Sequence, residues 1–387
     1  MAKYLSKGIF WFRTQAPGKG LVTHSPEGCP TMDTLTAAPW TAVGAAPLPQ
    51  LEATGGLDFQ RTVPRELVHK SAVSEVFLTD STETDADRFL LAAQWPRDHA
   101  VFRPGPGGHT DSMVVIETVR QAGMLVFHRY YSVPLAVPFI VRSLDFEMLD
   151  PDALVGTGAP QEATLDLRVA FTSARMGRRR SFEIQSTVRV GSGPDCARVT
   201  FTGDLLDRAL YQRLRARPDD LAMTPPVPEP GRWPAPAPVA VGRTRAGDVM
   251  LTAADDGRPG RWELRMDPTH PTFFDHGSDH VQAIVLLEAM RQSGILSVPA
   301  TTQCPDPGAR IFTSLRAEFH AYGEFAPAIV LHAADRPEDG RALDEHAVRV
   351  HASQGGRPVA SARMGFHRPD RLRTGTGADP APARARI

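Results

Sequence analysis

The chain is poor in cysteine, in net charge and in long apolar runs, and each shortage argues against a class of protein. Its 387 residues include only Cys29, Cys196 and Cys304. They are too few and too scattered for a disulfide framework or a cysteine-rich zinc site, so we expect reduced thiols in a cytoplasmic protein. A formal net charge of −1 gives no reason to expect nucleic acid or an anionic membrane as a partner. No apolar run reaches the roughly 18 residues of a membrane-spanning helix, and the start lacks a signal-peptide layout.

The composition is that of a globular protein, with 42% hydrophobic and 22% charged residues. Segments rich in Pro, Gly, Ala and Thr divide the chain. We predict a poorly ordered leader over 1–50, a Pro-rich linker over 216–238 and a flexible tail over 370–387. Two blocks remain, 51–215 and 239–369, each long enough for a domain with its own core.

The two blocks repeat each other. VHKSAVSEVFLTD at 68–80 aligns with VGRTRAGDVMLTA at 241–253, 173 residues further on. MVVIETVRQAGML at 113–125 aligns with IVLLEAMRQSGIL at 284–296, 171 residues further on, and the same spacing pairs RSLDFEM with TSLRAEF. Two copies are too few for a solenoid, so the repeat indicates a duplicated domain.

Each copy has the order strand, helix and then several strands. The helical segments 111–128 and 280–298 are apolar on nearly every face, which is typical of a helix enclosed by protein. The segments that follow alternate apolar and polar residues or are rich in β-branched ones. We therefore predict an α+β tandem double hotdog, in which each half is an antiparallel sheet wrapped around a central buried helix.

Both predicted helices carry the same polar residues among their apolar ones. A Glu is followed by an Arg three residues later and a Gln four residues later, on neighbouring turns of one face; these are Glu117, Arg120 and Gln121 in the first copy and Glu288, Arg291 and Gln292 in the second. A buried charge needs a partner or a wet cleft. The pattern fits either an ion pair that docks the two halves or a carboxylate acid–base with an anion-binding Arg.

The copies differ just before the helix. The second reads HPTFFDHGSDHVQ and the first HAVFRPGPGGHTD, so His276 aligns with Gly105. An active half of a duplication is expected to differ in this way, which makes His276 a catalytic candidate, although a surface loop histidine is the alternative. His276, Asp279 and His280 lack HExxH or CxxC support, so we expect no metal. Asp279 with Gln282 resembles a capping box at the helix start.

These motifs carry a family resemblance. FFDH followed by the V-x-x-hydrophobic-L-L-E helix resembles the FabZ-type hotdog dehydratases. Together with the repeated VH…EVFLTD, AQWPRDH, ETVRQAG and FFDH…DHV…LLEAMRQSG, it is similar to the A-factor biosynthesis hotdog family, the AfsA-type γ-butyrolactone synthases. The resemblance covers roughly residues 60–368.

The resemblance implies an acyltransferase without a cofactor. It joins a β-ketoacyl group, carried by acyl carrier protein, to the hydroxyl of dihydroxyacetone phosphate. A ring-closing condensation then gives a phosphorylated butenolide, a precursor of signalling γ-butyrolactones. A dehydratase or thioesterase on acyl thioesters, or a non-catalytic acyl-binding module, are the alternatives. We expect a monomer acting as a pseudo-dimer, or a homodimer.

Residue roles follow from that chemistry. Glu288 or His276 could take the hydroxyl proton, Arg291 or Arg120 could hold the phosphate, and Gln292 could orient the substrate. Backbone N–H groups at the start of the second helix could bind the thioester oxygen, although Gln282 and Ala283 stand where such helices often have Pro and Gly. The residues expected to contact substrate are Glu117, Arg120, Gln121, Asp279, His280, Gln282 and Ala283. The working half is left open.

Overall fold

The computed structural model describes residues 56–175, 179–215, 234–254, 258, 260–302, 304–336 and 340–369. The predicted leader, the predicted tail and most of the predicted linker lie outside the described residues. All described residues fall in one compact unit.

Among the described residues, the first half contains six strands and two α-helices: β1 (Leu78–Asp85), β2 (Arg88–Trp95), α1 (Ser112–Arg129), β3 (Phe139–Met148), β4 (Gln161–Arg175), β5 (Arg179–Val190), β6 (Asp195–Leu206) and α2 (Arg208–Arg215). The second half repeats the order: β7 (Leu251–Ala253), β8 (Arg261–Leu264), α3 (Ala283–Ser297), β9 (Ile311–Phe319), β10 (Ile329–Asp335), β11 (His346–Gln354) and β12 (Arg357–His367). Because each half curls its strands around one buried helix, the predicted double hotdog is confirmed.

In the part of the chain that the structure describes, the two halves share one antiparallel sheet of twelve strands, in the order β1-β2-β4-β5-β6-β3-β9-β12-β11-β10-β8-β7. The halves meet where β3 pairs with β9, with Ser143 opposite Glu318, Asp145 opposite Arg316 and Glu147 opposite Ser314. The repeat relates each of these residues to one in the partner strand. The junction is therefore the two-fold contact of a dimer built into one chain, centred on Asp145 and Arg316.

Each central helix packs closely on its own half of the sheet because both carry a glycine after the shared Arg-Gln. A Cβ atom at Gly123 of α1 would lie 2.8 Å from side-chain atoms of Ile184 and Phe201. At Gly294 of α3 it would lie 3.3 Å from the Phe366 ring. The repeated glycine thus sets the distance between helix and sheet, with no Cβ to fill the gap. None of the described helices is long and apolar enough to cross a membrane.

The predicted capping box at Asp279 and Gln282 is wrong. Helix α3 begins at Ala283, and Gln282 at its N-cap position makes no side-chain capping bond. The Asp279 carboxylate instead accepts hydrogen bonds from the Tyr211 hydroxyl at 2.8 and 3.0 Å. In α1, Asp111 caps the helix by accepting from the backbone N of Met113 at 2.9 Å. The caps differ because Asp279 pairs with the end of the first half rather than with its own helix.

Candidate functional site

Glu288 of α3 is buried in a saturated hydrogen-bond cage. Arg243 donates to it from Nε and Nη2 at 2.8 and 2.7 Å. Arg291 also donates twice, at 2.9 and 2.8 Å, and Gln292 Nε2 donates at 2.6 Å. The carboxylate is fully buried, so these five bonds leave it no room for a substrate.

The Glu288 cage links the two halves. Arg243 Nη1 also donates to Asp111 at the start of α1 at 2.6 Å and to the Val101 carbonyl at 3.2 Å. Burial by itself would raise the pKa of Glu288, but Arg243 and Arg291 hold that pKa well below its usual range. A permanently ionised, fully paired carboxylate cannot take a proton, which is the arrangement of a structural ion cluster.

Glu117 of α1 is the repeat partner of Glu288, and its surroundings are more open. Arg120 donates to it from Nε and Nη2, both at 2.8 Å, and Gln121 donates at 3.0 Å. Lys70 replaces Arg243 and lies 3.1 Å from Glu117 Oε1. The Arg120 side chain keeps 22% of its surface exposed, against 6% for Arg291. Arg120 can therefore meet a ligand.

The space that Arg120 faces is a cavity of about 1700 Å³ between the halves. Polar residues of both halves line it, including Lys70, Glu117, Arg120, His276 and His280. Its apolar walls also come from both halves; they include Met124, Leu135, Val137, Phe139, Ile284, Leu286 and Phe319. The cavity thus combines a cationic end with the apolar surface that an acyl chain needs.

His276 reaches this cavity on a loop of the second half that is bound to the first. Its Nδ1 lies 2.7 Å from Asp275 Oδ1, and the other Asp275 oxygen accepts from the backbone N of Ser71 at 2.9 Å. Burial would raise the pKa of Asp275, but the hydrogen bond from His276 and the charge of Lys70 lower it. Since a carboxylate only accepts, His276 Nδ1 carries the hydrogen and Nε2 of the neutral ring is a proton acceptor.

A second histidine pair, His69 and His128, lies in the first half, and His69 lines the cavity. The His69 and His128 Nε2 atoms are 2.8 Å apart, and His128 Nδ1 is 2.6 Å from the Val133 carbonyl oxygen. Burial, followed by the charges of His128, Arg120 and His276, lowers the pKa of His69 to about 3. Burial also lowers the pKa of His128, so both rings are neutral near pH 7.

The Asp279 cluster forms another part of the cavity wall. Asp279 bonds His280 Nδ1 at 2.6 Å and Arg215 Nε at 3.1 Å, besides Tyr211. Arg215 also bonds Glu324 at 2.8 Å. Burial would raise the pKa of Asp279, but the bonds from His280 and Tyr211 keep it well below its usual range. The cluster fastens α2, at the end of the first half, onto the second half.

The structure divides the residues singled out from the sequence into two groups. Seven of them line the cavity: Glu117, Arg120, His276, Asp279, His280, Gln282 and Ala283. Glu288, Arg291, Gln121 and Gln292 do not. The two glutamines instead hold the backbone before β1 and β7: Gln121 bonds the Phe77 N and the Glu75 O, and Gln292 the Met250 N and the Asp248 O.

Four polar residues in or beside the cavity are not among those expected from the sequence: His69, Lys70, His128 and Asp275. The alignment of the copies held a signal for each, because the second copy has Gly242, Arg243 and Pro299 at the first three positions, and the first copy has Pro104 at the fourth. Within the described residues, no group of three or more His, Cys, Asp or Glu side chains could hold a metal ion.

Comparisons with known proteins agree with this architecture. The family model described as "A-factor biosynthesis hotdog domain" (AfsA) matches residues 52–207 and 234–367. A 2-oxo-3-(phosphooxy)propyl 3-oxoalkanoate synthase of Streptomyces virginiae is 35% identical over 79% of this chain and 97% of its own. Proteins of the same name from Streptomyces coelicolor and Streptomyces griseus are 34% and 32% identical, over 76% and 84% of this chain and 88% and 96% of theirs. The chain therefore belongs to the A-factor biosynthesis hotdog family.

Proposed function

We propose that this protein is an acyltransferase of γ-butyrolactone signal biosynthesis. It transfers a β-ketoacyl group from acyl carrier protein to the hydroxyl of dihydroxyacetone phosphate, which gives a 2-oxo-3-(phosphooxy)propyl 3-oxoalkanoate. The observation that carries the proposal is the cavity at α1, where a cationic end, a carboxylate-backed histidine and apolar walls meet. Relatives that carry this product in their names match nearly their whole length to the chain.

The phosphate of the triose is assigned to Arg120 and Lys70. Glu117 holds the Arg120 guanidinium by two bonds, and Arg120 Nη1 hydrogen-bonds none of the described residues. A fixed guanidinium beside an ammonium is suited to a phosphate dianion. Glu117 acts here as a positioning residue: burial would raise its pKa, but Arg120 and Lys70 keep that pKa well below its usual range.

The hydroxyl proton is assigned to His276. As the hydroxyl oxygen attacks the thioester carbonyl carbon, its proton moves to Nε2, and Asp275 stabilises the resulting imidazolium. The new C–O bond forms, the C–S bond breaks, and the imidazolium returns the proton to the departing thiolate. This assignment selects His276 and Arg120 from the alternatives that the sequence left open, because Glu288 and Arg291 are fully engaged away from the cavity.

The acyl chain is assigned to the apolar walls, from Leu135, Val137 and Phe139 of the first half to Ile284 and Leu286 of α3. One chain supplies every part of this site, so we propose that the monomer suffices. Ring closure of the ester to a phosphorylated butenolide follows the transfer. We place the reaction in the cytoplasm, which agrees with the few, scattered cysteines of the chain.

The test is product formation from a β-ketoacyl carrier protein and dihydroxyacetone phosphate, followed by mass spectrometry. Wild type should give a phosphorylated ester or butenolide only when the triose phosphate is present. Enoyl thioester or free acid would instead support a dehydratase or thioesterase, and acyl binding without turnover a non-catalytic module. Size-exclusion chromatography of the active fraction checks that a monomer suffices.

Arg120→Gln tests the phosphate assignment. Loss of charged hydrogen bonds worth ~1.5–3 kcal/mol should lower kcat/KM for the triose phosphate about 10- to 100-fold. Arg198→Gln is the matched control, because Arg198 is an exposed arginine paired with Glu147 and outside the cavity. Equal rates for the two variants would remove Arg120 from the site.

A further inference from the structure

The mouth of the cavity carries exposed apolar surface to which the acyl transfer as proposed assigns no role. Among the described residues, four large apolar side chains are exposed, and two of them, Leu135 and Leu214, line this cavity. They are 48% and 57% exposed and belong to the segment before β3 and to α2. Lining residues that are open to solvent mark the entrance, and apolar groups there are typical of a surface that a partner covers.

Helix α2 turns one side to the cavity and another to the solvent. One face of it lines the cavity through four residues: Leu210, Tyr211, Leu214 and Arg215. Arg208 and Arg213 lie outside that face and are exposed, and neither forms an ion pair with any of the described residues. The axis rises only about 9 Å from Arg208 to Leu214, so both unpaired guanidinium groups border the same opening.

The second half adds a third arginine to the entrance. Arg357, at the start of β12, is exposed and lines the cavity, and no carboxylate in the described part of the chain lies within ion-pair distance of it. Glu324 ties the turn between β11 and β12 to α2: it accepts from Arg215 Nη1 at 2.8 Å, and its backbone N donates to Gln354 Oε1 at 2.8 Å. Both halves thus supply one surface, the α2 rim, which we define by five residues: Leu135, Arg208, Arg213, Leu214 and Arg357.

The α2 rim is positively charged around an apolar centre. Of the described carboxylates that line the cavity, Glu318 is the exposed one, so three arginines face one acidic residue. Asp207 is used as the cap of α2, where it accepts from the backbone N of Ala209 and of Leu210 at 3.0 and 3.1 Å. Cations around exposed leucines are complementary to an acidic protein surface that carries an apolar group of its own.

We propose that the α2 rim is the docking surface for the carrier protein, a small acidic protein, and that Leu135 and Leu214 receive its apolar contact beside the thioester arm. The inference rests on the proposed function, since the carrier protein delivers the β-ketoacyl group, and it adds where that partner binds. The rim lies close to the assigned base, because Asp279, which holds Tyr211 of α2, is three residues from His276. An arm that enters between the two leucines leads into the cavity that His276 lines.

The experiment gives the full chain two donors, a β-ketoacyl carrier protein and the same acyl group on free pantetheine, each with dihydroxyacetone phosphate. Arg208→Glu with Arg213→Glu should lower kcat/KM for the carrier protein about 10- to 100-fold, because association slows when the charges repel, and should leave kcat/KM for the pantetheine thioester unchanged. The matched control is Arg168→Glu with Arg189→Glu, the same change of charge on exposed arginines of β4 and β5 outside the cavity lining. It should match wild type with both donors.

Three further measurements identify the partner by its charge. Arg357→Glu should also slow the carrier protein reaction alone, which extends the surface to the second half. Added salt should slow wild type with the carrier protein and affect the double variant less, since salt screens exposed charges. A carrier protein whose acidic side chains are replaced by lysine should react faster with the double variant than with wild type.

Three outcomes would overturn the docking assignment. The first is equal kcat/KM of the double variant and its control with the carrier protein. The second is an equal loss with both donors, which would place Arg208 and Arg213 in the chemistry or the fold. The third is a wild-type dimer, by size-exclusion chromatography, that the double variant does not form, since the rim would then join two copies of the chain. Calorimetric titration with the carrier protein measures docking by itself, so a failure of acyl transfer cannot be mistaken for a failure of docking.

Discussion

The two central helices present the same Glu, Arg and Gln to different surroundings. At α3, Arg243 spans from Glu288 to Asp111 of the other half, and the cluster is closed. At α1, Lys70 stands in place of Arg243 and has a shorter side chain. Among the described residues, Glu117 is the one carboxylate within ion-pair distance of Lys70, and Arg120 faces a cavity. The difference between Arg243, with its forked donors, and Lys70 therefore separates a cluster that joins the halves from one that faces the cavity.

The loops that precede the two central helices in the chain also differ between the halves. Asp275 and His276 of the second half face α1, whereas Pro104 and Gly105 occupy the equivalent positions of the first half. Each half therefore contributes a different element to one site: the first gives the helix and the second gives the loop. One interface thus holds a closed ion cluster, and the other holds the cavity to which the chemistry is assigned.

The largest effect should come from removing the histidine that only one loop has. His276→Ala should lower kcat by about 10²- to 10⁴-fold, because general-base catalysis is lost, with the thermal midpoint little changed. Steady-state rates measure it. Gly105→Ala, at the equivalent position of the other loop, is the control and should keep wild-type turnover. A fully active His276→Ala would mean that the two loops do not differ in function.

The second prediction compares the two glutamates by stability. Glu288→Ala leaves Arg243 and Arg291 as buried, uncompensated cations, so the free energy of unfolding should drop by about 3–5 kcal/mol. Glu117→Ala should cost less, roughly 1–3 kcal/mol, since Arg120 retains access to water in the cavity. Urea unfolding at pH 7 measures both, and an equal loss would contradict the comparison.

The stabilisation that Glu288 provides should also depend on pH. Its pKa is lowered in the folded state from an ordinary 4.5, so the unfolded chain binds the proton first. The stabilisation is therefore complete above about pH 4.5 and is lost as the pH falls below that value. Wild type should therefore lose stability as the pH falls from about 5 to about 3 more steeply than Glu288→Ala.

The smallest effect concerns the junction of the halves. Asp145 pairs with its repeat partner Arg316 at 3.1 Å and with Arg341 at 2.6 Å. These side chains are partly exposed, so Asp145→Arg should cost only ~0.2–1 kcal/mol. The double exchange Asp145→Arg with Arg316→Asp should recover part of it in a double-mutant cycle. No coupling between the two positions would show that charge does not contribute to pairing of β3 with β9.

The sequence was sufficient for the fold because the repeat and the two apolar helices are local patterns. It also singled out His276 as a candidate, through its difference from Gly105, and the structure places that residue at the cavity. It did not separate Glu117 from Glu288, because burial depends on Lys70 and Arg243, about 45 residues away along the chain. Asp279 was assigned to a cap because local spacing matches that motif, whereas Tyr211 and Arg215 of the other half take its carboxylate. The surroundings of Glu288 and Asp279 depend on contacts between the two halves, which a local sequence pattern does not reveal.

The division of the site between α1 and the loop of His276 affects how the enzyme is made. During synthesis the first half leaves the ribosome and can fold first, with Arg120 and Lys70 in place but without a base for the acyl transfer. Under the proposed roles, turnover requires that the second half has folded and that Asp275 has docked on Ser71. We therefore expect an incomplete or wrongly assembled chain to leave its thioester substrate unconsumed, so that catalytic activity would report that both halves are correctly joined.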